Sequence, residues 1–325
     1  MSNLLMDPAF ASLAKDPREV LRDARVVREA MTAARQGTKP WLSDFGVEVE
    51  DSFVPSTDNE VRQVPVRIYR PKNAASARPK NASGALPVLL YLHGGGFFCG
   101  DLFSEELQCA HYALHAQCVV VCVEYRLAPE DPFPAALTDC YRVLEFLWEE
   151  SRTLNLDRDF LAVGGSSAGA NLAAAIALLA RDRSGPKICF QMLLIPVLDD
   201  RLETPSAREF TDVPDFARPE AVTMWRWYLG EKPDKVSPYA APARAEDLSN
   251  LPAAYILCAG LDPLRDEGLD YARRLTDAEV AVELHLIPSI PHGFASIPSA
   301  AISERLLREQ IDVLQGVFRS TRSNL

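Results

Sequence analysis

The 325-residue sequence has no run of about eighteen apolar residues, the length a helix needs to cross a bilayer. It has no excess of positive charge: 34 lysines and arginines stand against 45 aspartates and glutamates, a formal charge of −11. A surface so acidic repels phosphate backbones, which argues against a nucleic-acid partner. No Cys-x-x-Cys pair occurs among the seven cysteines (Cys99, Cys109, Cys118, Cys122, Cys140, Cys189 and Cys258), so neither a zinc knuckle nor a dithiol redox motif is indicated. Several of these cysteines sit in apolar, strand-like runs and read as buried, reduced thiols. Met1–Phe10 lacks a basic region followed by an apolar stretch, and Asp7, Lys15 and Asp16 come too early for a secretory leader. Together with the reduced thiols, this predicts a cytoplasmic protein. Internal repeats are absent. At 48% hydrophobic and 24% charged residues, the mix is that of a soluble globular chain, which excludes disorder, collagen and coiled coil as the main state.

What is present is an alternation of short apolar runs with helical stretches. Two early runs, Val47–Val54 and Val61–Tyr69, alternate polar and apolar residues as half-exposed antiparallel strands do. Six later runs are mainly apolar and rich in β-branched residues: 87–92, 119–123, 160–163, 189–195, 254–258 and 280–287. Helical patterns separate them at 104–117, 133–150, 168–183, 264–277 and 302–318. Strands apolar on both faces, alternating with helices, imply a mostly parallel eight-stranded sheet covered on both sides, an α/β architecture. Residues 1–45 read as helices that precede this core, with Val20, Leu21, Ala24, Val27 and Met31 on one face. The polar stretch Pro71–Gly84 reads as an exposed loop. Residues 199–252 hold many prolines and the aromatics Trp225, Trp227 and Tyr228, but no clear strand. A loop of that length without structure is implausible in a compact domain, so the segment reads as a helical cap inserted into a core formed by 46–198 and 253–325.

Four parts of the chain carry chemistry. Gly165-Ser166-Ser167-Ala168-Gly169 follows a strand and opens a helix. Such a sharp turn holds a nucleophile clear of the backbone, and its crowded flanks need small residues at Gly165 and Gly169. The plainer reading is a glycine turn with Ser167 as a helix cap. His93-Gly94-Gly95-Gly96 ends another strand. Successive glycines there can aim backbone N–H groups at one point, as the oxyanion of acyl transfer requires, with the N–H of Ala168 as their partner. No Gly-Lys-Ser/Thr follows, which excludes a phosphate-binding P-loop.

A serine hydroxyl also needs a base, and five histidines are available. His93 belongs to the glycine loop. His111 and His115 lack the glutamate of a zinc His-Glu-x-x-His motif, and no metal site is expected. His285 lies in a strand opposite Val282, Leu284 and Leu286, and reads as solvated. His292 remains, in a loop after the last strand. Asp262, directly after the strand ending at Gly260, suits the third role, and the following Pro263 also makes it a good helix start. The chain order serine, aspartate, histidine is that of α/β-hydrolases.

These pieces, with Tyr125-Arg126-Leu127-Ala128-Pro129-Glu130 and Pro132-Phe133-Pro134-Ala135-Ala136, resemble the hormone-sensitive lipase-like family of α/β-hydrolase esterases, of the bacterial family IV type. The likeness spans about residues 60–320. It implies an α/β-hydrolase fold with a cap, and a cofactor-free carboxylesterase for small-molecule esters of short to medium acyl chain. It implies catalysis by Ser167, Asp262 and His292 and an oxyanion hole at Gly95, Gly96 and Ala168. Homodimers are common in that family. Candidate pocket walls are Phe97, Phe98, Trp225, Ile290 and Phe294, each with core packing as its plainer role. Arg126 and Glu130 read as partners in polar bridges. Two positions depart from the family pattern: Ser166, where aspartate is frequent, and Ala170, where glycine is frequent. An amidase or lactonase could use the same triad. A receptor that has lost catalysis is the rival from another class, and the presence of His292 weighs against it. A histidine base predicts activity falling with pH through about 6–7.

Overall fold

The computed structural model describes residues 5–14, 23–35, 45–56, 62–72, 84–230 and 235–319. Val20 and Leu21 of the predicted N-terminal helix face, and residues 73–83 of the predicted loop, lie outside the described residues. Eight strands form one sheet: β1 (Val47–Pro55), β2 (Gln63–Pro71), β3 (Leu86–Leu92), β4 (Val119–Val123), β5 (Leu156–Ser166), β6 (Phe190–Leu194), β7 (Ala253–Leu261) and β8 (Val282–Pro291). Their order is β1-β2-β4-β3-β5-β6-β7-β8. β1 pairs with β2, and β2 with β4, in antiparallel fashion; every later pairing is parallel.

The continuous apolar runs have the expected cause. Along β3, Leu90 and Leu92 enter one apolar cluster while Leu89 and Tyr91 enter another. The first cluster packs against α3 (Ala135–Glu149) and α4 (Ala168–Asp182), through Leu144, Leu172 and Ile176 among others. The second packs against α2 (Glu106–Ala116) and α8 (Ala301–Arg319), through Tyr112, Leu306 and Leu314. A strand residue pointing either way meets a helix, so apolar side chains predominate on both faces. α4 is built almost wholly from small and aliphatic residues and is buried along nearly all its length, as fits a helix that packs closely on the sheet. All seven cysteines are free and buried. Among the described residues, no helix is long and apolar enough to cross a membrane.

β8 departs from expectation. Its Leu284 and Leu286 are exposed, at 43% and 47%. His285 instead turns inward, onto the Tyr255 ring at 5.0 Å and toward Glu283 and, on α8, Glu309. β8 is the last strand, and the edge of a sheet need not be covered on both faces. Alternation in the sequence marks two faces there but not which one is wet.

Residues 199–252 hold two helices, α5 (Pro205–Glu209) and α6 (Arg218–Leu229), and a 3-10 turn at Pro242–Arg244. Toward the N-terminus are a 3-10 turn (Pro8–Leu13) and α1 (Ala24–Arg35). Arg28 of α1 donates to the carbonyl of Ala128 and to Glu130, the latter at 2.7 Å. Arg126 makes a two-pronged contact with Asp139, whose side chain is 1% exposed. Arg126 and Glu130 therefore do serve as bridges. α7 (Arg265–Asp277) completes the core between β7 and β8.

Breaking such a pair strands its buried partner. Arg126→Ala, which leaves the Asp139 carboxylate buried without its guanidinium, should lower unfolding free energy by roughly 3 kcal/mol, read as a lower urea midpoint; an unchanged midpoint would remove this anchor from the account.

Candidate active site

Three chain segments meet at the carboxyl ends of β5, β7 and β8. Ser167 joins β5 to α4 with φ 55 and ψ −114, a left-handed conformation that few side chains adopt and that holds the side chain clear of the turn's backbone. Its amide is tied to the Leu194 carbonyl at the end of β6, at 2.8 Å. The flanking glycines leave no room for a side chain. A Cβ on Gly169 would stand 1.9 Å from the Leu92 carbonyl oxygen, and one on Gly165 would stand 2.5 Å from the same atom.

Asp262 follows β7 directly. Its Oδ1 accepts a hydrogen bond from the amide of Leu264 at 2.8 Å, and its Oδ2 accepts one from His292 Nδ1–H at 2.7 Å. Asp262 thus faces a histidine, but it does not cap the helix as its sequence also suggested: α7 is capped at Leu264, and Asp262 closes a turn just ahead of it. His292 opens the 3-10 turn after β8. The pairing of β7 with β8 slips between Ala259 and Leu261, and Ser289 has φ 65. This irregularity carries the end of β8 past a simple parallel register and puts His292 beside Asp262. His292 Nε2 accepts the Ser167 hydroxyl at 2.8 Å. With its proton on Nδ1 and a lone pair on Nε2, the ring can take a proton from Ser167.

His292 is 7% exposed and Asp262 1%. Burial by itself would push the imidazole's pKa down. The charge and hydrogen bond of Asp262, with the charge of Asp215, outweigh it and raise the pKa above the ordinary histidine value.

His93-Gly94-Gly95-Gly96 lies against this turn. Gly95 and Gly96 have φ 116 and 59, and a Cβ on Gly95 would stand 2.2 Å from the Cys99 carbonyl oxygen. Here glycine is required by both conformation and space. The Gly95 carbonyl is held by the amides of Phe98 and Cys99. Ala168 is the first residue of α4, where an N–H has no partner within the helix. His93 is fully buried and orders the loop. Its Nδ1 donates to the Gly94 carbonyl at 2.7 Å, and its ring stacks on Tyr125 at 4.2 Å.

Sequence reasoning missed three residues. Glu105 accepts the Gly94 amide at 2.8 Å on one oxygen and the Tyr91 hydroxyl on the other. Desolvation raises its pKa, against the pull of those two donors. Phe216, between α5 and α6, tilts against the His292 ring at 4.8 Å, and Asp215 precedes it. Nothing local in the sequence marks any of the three. Their placement arises from contacts between segments far apart in the chain.

The five candidate wall residues are all buried and are divided among three apolar clusters. Phe97 and Trp225 share one cluster, with Phe97 stacked on Tyr228 at 3.7 Å. Phe98 packs with Ala24 and Cys99, and Ile290 and Phe294 belong to the cluster on the opposite face of the sheet. A polar cavity of about 340 Å³, lined by Arg28, Arg62, Glu124, Arg126 and Glu130 among others, touches none of Ser167, Asp262 and His292. His111 and His115 stack on each other at 5.5 Å, and no cluster of metal-ligating side chains occurs among the described residues.

Comparison with known proteins agrees with this architecture. A family model described as alpha/beta hydrolase fold matches residues 89–296. Esterase LipI of Mycobacterium tuberculosis is 42% identical over 239 residues, which cover 73% of this chain and 72% of that one. Among solved structures, a bacterial heroin esterase superposes with a TM-score of 0.88 at 40% identity, covering 97% of this chain and 98% of that one. Esterase LipW from Mycobacterium marinum superposes with a TM-score of 0.87 at 42% identity, covering 97% and 96%. The chain belongs to the α/β hydrolase family, among its hormone-sensitive lipase-like esterases.

Proposed function

We propose that this carboxylesterase cleaves small-molecule esters of short to medium acyl chain through a Ser167–His292–Asp262 triad and an acyl-enzyme intermediate. One observation carries the reading: an unbroken relay of two short hydrogen bonds, 2.8 Å from Ser167 to His292 and 2.7 Å from His292 to Asp262. Relatives named as esterases, LipI and the heroin esterase among them, support the ester class.

His292 takes the proton of Ser167 as the serine oxygen attacks the ester carbonyl. Asp262 holds the Nδ1 proton in place and stabilises the imidazolium that forms. The N–H groups of Gly95, Gly96 and Ala168 receive the oxyanion, and each such donor is worth about 3–4 kcal/mol of barrier. His292 then returns the proton to the departing alcohol. Water, deprotonated by the same ring, releases the acid and restores Ser167. The helices of 199–252, with those of the first 45 residues, form the cap over this site.

Three outcomes are expected. Ser167→Ala lowers kcat/KM for an activated ester by at least roughly 10⁴-fold while the circular dichroism spectrum is kept; retained turnover would exclude Ser167 as nucleophile. The base works only when neutral, and its pKa is raised, so activity is lost as pH falls through a midpoint above the ordinary histidine value of about 6.5; a profile flat down to pH 4 would eliminate His292. Across a panel of p-nitrophenyl esters, kcat/KM peaks at short to medium chains, and a maximum at long chains would refute the substrate class.

A further inference from the structure

Between α5 and α6 the chain crosses the loop that carries His292. Asp215 in this crossing has φ 68, a conformation that penalises most side chains. Its carboxylate is seated on Gly293. A Cβ there would stand 2.3 Å from Asp215 Oδ2 and 2.5 Å from its Cγ, so only glycine admits it. Phe216 meanwhile lies against the imidazole. Asp215 is exposed, and no hydrogen bond or ion pair engages it among the described residues.

The other charged groups nearby are committed elsewhere. On α7, Glu267 accepts the amides of Leu198 and Asp199, and Asp266 binds Ser206 and Arg265. On α6, Glu220 accepts the Ala217 amide, and Arg218 donates to the carbonyls of Leu202 and Ala207. From the core, Asp262 alone presents a charge to the ring.

The geometry points to Asp215 as a positioning residue for the base: a second carboxylate, lent by the inserted segment, that favours the imidazolium of His292 during proton transfer. This rests on the triad reading above. Asp262 acts through a hydrogen bond to Nδ1, whereas Asp215 acts through space, on an atom-to-atom contact with the next residue. Its charge raises the affinity of the ring for a proton, in the same sense as that of Asp262. Lifting the segment away would remove the charge and the Phe216 ring together, so the strength of the base depends on the insertion being seated. Because Asp215 is exposed, salt screens its effect.

The test is the pH dependence of kcat/KM on a soluble chromogenic ester, for the wild type, Asp215→Asn and Asp215→Gly, at low and at about 1 M sodium chloride. The asparagine keeps the shape, and the glycine suits the backbone, so at least one variant folds. Loss of the charge should lower the midpoint of the acid limb by about half a unit, a roughly threefold gain in rate relative to plateau on that limb. Salt should move the wild-type limb the same way and the variants less. A limb that stays in place in the variants, including one accompanied by an equal loss of rate at every pH, overturns the role of Asp215 while leaving the triad intact. A wild type with no acid limb, or a His292→Ala enzyme that remains active, overturns the triad reading and this inference with it.

Discussion

The close approach of the turn after β5 to the end of β3 is the constraint on which the rest of the structure depends. Gly165 and Gly169 both touch the Leu92 carbonyl at distances that leave no place for a methyl group. This contact fixes Ser167 against the glycine loop that continues from Leu92. A proposed nucleophile and its proposed oxyanion donors thus belong to one rigid unit rather than to two loops that must find each other. The parallel sheet supplies the remaining reach, because β7 and β8 deliver Asp262 and His292 to the same end.

Buried charge in this molecule is arranged so that each group answers to more than one partner. Asp262 gives one oxygen to the backbone and one to His292. Glu105 is shared between Tyr91 and Gly94. A Cβ on Gly94 would lie 3.3 Å from Glu105 Oε1 and 3.6 Å from the Ser166 hydroxyl, so both side chains border the same small space. Aspartate at position 166 would place a second carboxylate beside the first, with like charges in a desolvated setting. Serine avoids that repulsion and is accommodated where Glu105 is present.

Much of the fold is legible in the sequence because its signals are local. Runs such as Val119–Val123 announce strands covered on both faces, and Gly165–Gly169 between a strand and a helix announces the turn. The order of serine, aspartate and histidine along the chain makes the relay readable before any coordinates are known. What is not legible is proximity across the chain. No periodicity tells that β2 pairs with β4 rather than β3, that Glu105 reaches Gly94, or that Asp215 settles on Gly293. The alternation in β8 is visible, but only the edge position of the strand decides that Leu284 and Leu286 face outward. The five aromatic and aliphatic wall candidates are divided among three separate clusters, a distinction composition does not make.

The seven sequestered thiols carry a consequence for handling and lifetime. While the chain is folded they are buried away from solvent. Once it opens, all seven become available to oxidation and mixed-disulfide exchange, and an odd number guarantees at least one left to couple between molecules. Heat inactivation in air is then a one-way process governed by how fast the native state opens, not by the equilibrium between folded and unfolded forms. Shelf life without a reductant is accordingly a kinetic property of the sheet and helices that enclose those sulfurs.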